Sequence, residues 1–252
     1  MIGGYDFVGE LWPTYGPRSE DPNPIDAPPT PPAAGGHGTH VADIIAGQNV
    51  SDTHRGVAPG AKLYAVKVCS AVSPSCNGIA LLRGMDFALD PNGDNNLSDA
   101  VDIINMSLGA SYGQKEDDLS EASANAVRAG VVVVASAGNS ADRPYIVGSP
   151  SSTPEVMSAA QTQVPSAKNY PLIINSPITI AGSYSNTATV DWAPIVNGFT
   201  GDVAYVGRGC PADPYLADPA GKIALIDRGL CAVSVKVDRA VISGAIGGID
   251  RQ

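Results

Sequence analysis

Charge is scarce in this chain. Only 16% of its 252 residues are charged, and no block of lysine and arginine offsets a formal net charge of -10. That lack excludes the basic footprint of a nucleic-acid binder and electrostatic adhesion to anionic membranes. No run approaches the roughly 18 uninterrupted apolar residues of a spanning helix. The first residues, Met1-Ile2-Gly3-Gly4-Tyr5-Asp6, lack the basic stretch and apolar run of a secretory signal. Cys-x-x-Cys spacing is absent as well, which argues against a structural zinc site. No internal repeat is evident.

What is present is enough for a real core. Apolar residues make up 44% of the chain, which suits one large α/β domain or two smaller ones, while Gly 28 and Pro 21 demand many loops and tight turns. The four cysteines form two local pairs, Cys69 with Cys76 and Cys210 with Cys231. An even count at short separation suggests two disulfides and an oxidising compartment, the alternative being two pairs of buried thiols.

Residues 1–36 read as surface loop, because Pro28, Pro29, Pro31 and Pro32 prevent regular helix or central strand. From Ala61 the pattern alternates. Strands are expected at 62–68, 101–106 and 131–134, with helices at 78–89 and about 117–129. The run at 131–134 is apolar throughout, as a strand covered on both faces would be. This order implies right-handed crossovers and a parallel sheet with helices on both sides, with the functional site at the carboxyl ends of the strands. Ser107-Leu108-Gly109 and Ala137-Gly138-Asn139 lie just beyond two strand ends and can converge on one ligand. A boundary is expected at 163–168, where the texture changes to short β-prone pieces, 178–180 and 203–206 among them. A buried strand at 221–229 and a helix at 233–243 follow, leading into 244–249.

The run Gly36-His37-Gly38-Thr39-His40-Val41-Ala42 opens a helical pattern with small residues at Gly38, Ala42 and Ala46. Such spacing lets a helix pack closely inside a domain and hold His37 rigidly at its start. A general base needs fixed geometry, and imidazole titrates near neutral pH. His40 reads as a satisfied structural histidine. The whole string resembles the histidine motif of the subtilisin-like serine proteases, the subtilases. Gly56-Val57-Ala58-Pro59-Gly60-Ala61, Asn105-Met106-Ser107-Leu108-Gly109 and Val134-Ala135-Ser136-Ala137-Gly138-Asn139 resemble further family strings, in the same order.

The resemblance implies an incomplete subtilisin-like doubly wound parallel sheet, and a serine endopeptidase chemistry that requires no cofactor. His37 would be the catalytic base and Asn139 the oxyanion donor. Ser107, Leu108 and Gly109 would pair with the substrate backbone, and Ala137 and Gly138 would form the facing wall of the S1 pocket. Two departures stand out. No Asp-Thr-Gly or Asp-Ser-Gly precedes His37, and Asp6 resembles the segment after that motif instead. No Gly-Thr-Ser-Met-Ala follows Asn139, and Asp43 stands where glycine is usual. Residues from 163 onward resemble a protease-associated (PA) domain, a smaller β-rich α+β module. The expected organisation is therefore a partial peptidase domain at 1–162 and a partial PA insertion at 163–252. The chain is expected to be an interior piece of a secreted protease, inactive alone. Its partners would be a polypeptide substrate and the remaining parts of the parent chain.

The stretch from Asp90 to Asp99 alternates oxygen-bearing side chains like a calcium loop. Asp90, Asn92 and Asp94 are the candidate ligands, with Asp99 or Asp102 in place of the missing acidic residue at Val101. A solvated turn is the plainer reading. Two other functions are weighed against proteolysis. One is a non-catalytic peptide-binding remnant, and the other is a metal-dependent hydrolase using His37, His40 and Asp43.

Overall fold

The computed structural model describes residues 1–25, 36–48, 54–73, 75–140, 143–162, 170–185, 187, 195, 198–229 and 231–251. They form two compact units, Met1–Thr162 and Gln163–Gln252. In the first unit the order is β1 (Gly3–Asp6), α1 (His37–Ala46), β2 (Tyr64–Lys67), α2 (Gly78–Leu89), β3 (Ile103–Met106), α3 (Asp118–Arg128), β4 (Val132–Ser136) and β5 (Met157–Ala159). The pairings between these named strands are all parallel. β1 pairs with β2, and β3-β4-β5 form a second sheet with Met106 opposite Ala135 and Ser136 opposite Ala159.

Local chemistry fixes the helix ends. Asn77 caps α2 by accepting from the Ala80 amide at 3.0 Å, and Gly84 of α2 lets the helix approach β2 so closely that a Cβ there would stand 3.0 Å from both Val66 and Val68. Asp117 caps α3 through the Ser120 amide at 2.8 Å. At the other end of α3, Gly130 takes φ 101, while Val131 donates to the Ala126 carbonyl and Gly130 to that of Val127. This left-handed stop turns the chain straight into β4. Met85, Met106, Ala126, Val133, Ala135 and Val156 fill the core beneath that sheet. Phe7, Val8, Val68 and Ala80 form a second cluster beside β1 and β2.

Two expectations about packing are corrected. β4 is covered on one face only: Val131 and Val133 are 3% and 1% exposed, but Val132 is 45%, with Ile103 at 61% and Met157 at 60% on its neighbours. Successive side chains of a strand point to opposite faces, and the cover supplied by α2 and α3 buries one set. α1 carries no buried residue, so it is not the interior helix its small residues suggested. Its carboxyl end instead meets a surface segment, where Gly56, Val57 and Ala58 donate to the carbonyls of Gly47, Ile44 and Ile45. Small residues permit close packing without supplying the partner.

The second unit holds an antiparallel pair, β6 (Leu172–Ile174) with β7 (Gly182–Tyr184), and a parallel sheet in the order β10 (Gly247–Arg251), β9 (Ile223–Asp227), β8 (Val203–Gly207). Residues 178–180, expected as strand, form a turn in which Ile180 donates to the Pro177 carbonyl. α4 (Val233–Ile242) crosses from β9 to β10, over a core of Val206, Ala224, Ile226 and Ala240. Lys236 of α4 is 1% exposed, its Nζ donating to the Asp227 carbonyl at 2.6 Å. Both expected disulfides form, Cys69–Cys76 in the first unit and Cys210–Cys231 in the second.

Candidate functional site

The register of β3 and β4 brings their carboxyl ends level, so Ser107-Leu108-Gly109 and Ala137-Gly138-Asn139 leave the sheet side by side. Ser136 Oγ donates to the Leu108 carbonyl at 3.4 Å, and the hydroxyls of Ser111 and Ser140 meet at 3.1 Å. Ala137 donates to the Ala159 carbonyl at 2.8 Å, which anchors the second stretch to β5. Beyond that anchor Gly138 takes φ 107 and Asn139 is exposed. An exposed side-chain amide beside small residues offers two N–H donors to a ligand oxygen.

A third segment, with no signal of its own in the sequence, completes this end of the sheet. Residues 146–149 run antiparallel to 110–113. Ala110 and Ser149 exchange backbone hydrogen bonds of 3.1 and 2.9 Å, and Gly113 donates to the Val147 carbonyl at 3.0 Å. Gly148 also donates to the Ala137 carbonyl at 3.4 Å. The backbones are in direct contact: a Cβ on Gly113 would stand 2.1 Å from the Ser149 nitrogen, and one on Gly148 would stand 2.8 Å from the Ala110 carbonyl oxygen. Ser149 is buried, its hydroxyl 2.9 Å from that of Ser120. Burial pushes the Asp117 carboxyl up, but hydrogen bonds from Ser149 and Ser120 outweigh it and hold the group below the usual aspartate value. An N-cap pattern at Asp117-x-x-Ser120 is visible in the sequence, whereas its link to Ser149 is not.

His37 and His40 are both exposed on α1, so His40 is not the satisfied structural histidine expected. Asp43 of α1 pairs with His54 at 2.7 Å, and among the described residues no group of metal-binding side chains includes His37, His40 or Asp43. Asp6 is fully buried and spends both carboxylate oxygens. One accepts from the Val8 and Gly9 amides at 2.7 Å each, and the other pairs with Lys67 at 2.9 Å. Lys67 also reaches Glu10 at 2.7 Å. Asp6 therefore ties β1 to β2 and the following turn.

Asp90, Asp94 and Asp99 bring one carboxylate oxygen each to within 4.8 Å of one another. Asp99, not Asp102, completes the acidic set. Asp99 Oδ2 accepts from the Asn92 amide at 3.1 Å, while Asp99 Oδ1 is buried without a hydrogen-bond partner. Asn92 Oδ1 accepts from the Asp94 amide at 2.8 Å, and the Asp90 carboxylate accepts from the amides of Gly93, Asp94 and Asn95. Oxygen ligands in a tight loop of this kind suit a hard cation.

Comparison with known proteins converges on one family. The Subtilase family model matches residues 13–210, and the PA domain model matches residues 193–249. The chain is 32% identical over 256 residues to Minor extracellular protease Vpr of Bacillus subtilis, covering 97% of this chain and 27% of that protein. It is 42% identical over 127 residues to Subtilisin-like protease 3 of Pseudogymnoascus destructans (50% of this chain, 29% of that protein). With Subtilisin DY of Bacillus licheniformis it shares 38% over 141 residues (56% and 41%). It thus spans between 27% and 41% of the length of these relatives. With a parallel α/β unit carrying the motif strings at its strand ends, and a PA match behind it, the chain belongs to the subtilase family of subtilisin-like serine proteases.

Proposed function

We propose that this chain contributes the base, the oxyanion donor and the substrate-pairing strands of a secreted serine endopeptidase. In this reading residues 1–162 belong to its peptidase domain and 163–252 to a PA insertion. A serine hydroxyl attacks the scissile carbonyl, His37 takes its proton and returns it to the leaving amine, and the Asn139 amide stabilises the oxyanion. Ser107, Leu108 and Gly109 pair with the extended substrate, and Ala137 and Gly138 line the facing wall of S1. The observation that carries the reading is the level ending of β3 and β4, which sets these stretches side by side at the carboxyl edge of a parallel sheet. The Asp-Thr-Gly and Gly-Thr-Ser-Met-Ala strings are absent from these 252 residues, and in this reading the chain by itself hydrolyses no peptide bond. The disulfides fit an oxidising, extracellular setting.

The test is made in the full-length gene product. Asn139→Ala lowers kcat by about 10²–10³-fold with KM little changed, a magnitude measured on subtilisin itself. A gene product that cleaves no peptide even before substitution would sink the reading. Calcium is proposed at Asp90, Asp94 and Asp99, in a structural role away from the chemistry. The orphaned Asp99 oxygen is the observation that favours it.

A further inference from the structure

The helix that carries the proposed base has little to hold it. None of the ten residues of α1 is buried, and no side chain caps its first turn, where Gly36 stands at φ 103. Its hold lies at the other end. Three backbone bonds from residues 56–58, of 2.7 to 3.0 Å, close on the carbonyls of Ile44, Ile45 and Gly47, and Gln48 Nε2 donates to the Pro59 carbonyl. One more bond joins them. Asp43 Oδ2 lies 2.7 Å from His54 Nε2, and among the described residues this is the one hydrogen bond in which a side chain of α1 takes part. The Asp43 carboxylate lies back over the helix end: a Cβ on Gly47 would stand 2.2 Å from its Oδ1, and one on Gly56 would stand 2.8 Å from the Asp43 carbonyl oxygen. Glycines at both places let the 54–58 segment close onto the helix. Asp43 stands where the family string usually has glycine, and glycine could form no such bond.

We propose that Asp43 is a positioning residue for His37: clasped to His54, it fixes the tilt of α1 on the 54–58 segment, and so the place of the imidazole at the helix start. This rests on the reading that His37 is the base. Asp43 touches neither substrate nor reacting atoms. Six residues of helix set His37 about 9 Å along the axis from Asp43, so a tilt of about 6° displaces it by about 1 Å. A misplacement of that size can cost about 10²-fold in rate. Both partners are half exposed, 54% for His54 and 49% for Asp43, and such a pair biases the tilt by no more than about fivefold. Loss of the clasp should therefore lower the rate severalfold without abolishing it.

The measurements are made in the full-length gene product. Asp43→Ala keeps a strong helix former on α1, and His54→Ala lies outside the helix. Each is expected to lower kcat about threefold with KM unchanged. Each should also speed amide hydrogen exchange about threefold in a peptide covering Gly56–Ala58, while β4 keeps wild-type protection. The double variant should lose no more than either single one, because both remove the same bond. Asp43→Asn, which keeps an acceptor oxygen for the imidazole N–H, should recover most of the kcat.

Full activity in both alanine variants overturns the proposal. So does a loss carried by KM, or a double variant about ninefold down, the product of two independent losses. Faster exchange spread evenly over β4 would show a general loss of stability, which also overturns it. If the wild type cleaves no peptide while exchange at 56–58 rises in the variants, the peptidase reading fails and the clasp between α1 and the 54–58 segment stands.

Discussion

The two halves of the proposed catalytic apparatus are supported in opposite ways. On the oxyanion side, β3, α3, β4 and the 146–149 segment lie close in sequence, hydrogen-bond among themselves and enclose a core that includes Met106 and Ala135 at 6% and 0% exposure. On the base side, α1 leaves all ten of its residues at least partly exposed and leans on residues 56–58. One half of the proposed site is thus braced within one stretch of chain, while the other sits on a helix whose apolar residues Val41, Ile44 and Ile45 all stay at least partly exposed.

The largest effect that would test this contrast is chemical. In the full-length gene product, His37→Ala is expected to lower kcat by about 10⁶-fold, the loss found on deleting this base from subtilisin itself. An activity within about tenfold of wild type would remove His37, and with it α1, from the apparatus. The next effect compares stability directly, by urea denaturation of this chain. Met106→Ala, at a site 6% exposed, should cost about 3 kcal/mol, inside the range for truncating a large apolar core side chain. Ile44→Ala, at a site 48% exposed on α1, should stay within about 0.5 kcal/mol. Equal costs would mean that α1 is packed in solution, and the contrast would collapse.

Calcium would sharpen the difference, because the loop from Asp90 to Asp99 joins α2 to β3 and not to α1. Calcium at about a hundred times its Kd should stabilise the β3–β4 side by about 2.7 kcal/mol. Melting followed with and without calcium measures this, and Asp99→Asn should abolish the gain. No rise in wild type, or the same rise in the variant, would leave the loop as a solvated turn.

The better-supported half was also the more legible one. β-branched runs, the helical pattern at about 117–129 and the strings ending at Gly109 and Asn139 placed β3, α3 and β4 to within a few residues. Helix spacing at Gly38, Ala42 and Ala46 reads the same whether or not a partner covers the helix, so the exposure of α1 was invisible. The valines of β4 misled for a related reason: an apolar run signals two faces fit for cover without showing that both are covered. At 178–180 the β-prone residues follow Pro177, whose carbonyl closes a turn with the Ile180 amide. The choice of Asp99 over Asp102 depends on the short 3₁₀ turn at Leu97–Asp99, which carries Asp99 back toward Asp90. Least legible of all was the contact of α3 with the 146–149 segment, since 29 residues of sequence separate the Ser120 and Ser149 hydroxyls that meet at 2.9 Å.

The Asp117 carboxyl at the start of the same helix yields the smallest effect, and the one whose sign is most sharply defined. Burial alone would raise the Asp117 pKa, yet hydrogen bonds from Ser149, Ser120 and the Gln114 amide leave it lowered in the folded protein. A carboxyl with a depressed native pKa contributes stability that is present above its unfolded-state pKa and is lost as pH falls through the native value. The link between α3 and Ser149 should therefore hold at neutral pH and weaken only in acid, beginning just below the ordinary aspartate range. Ser149→Ala removes one of the lowering bonds, so the native pKa of Asp117 should rise toward the ordinary value. Carbon NMR titration of the Asp117 carboxyl in wild type and Ser149→Ala reads both midpoints. If they coincide, Ser149 gives the ionised carboxylate no net stabilisation, and α3 steadies the two walls by packing alone.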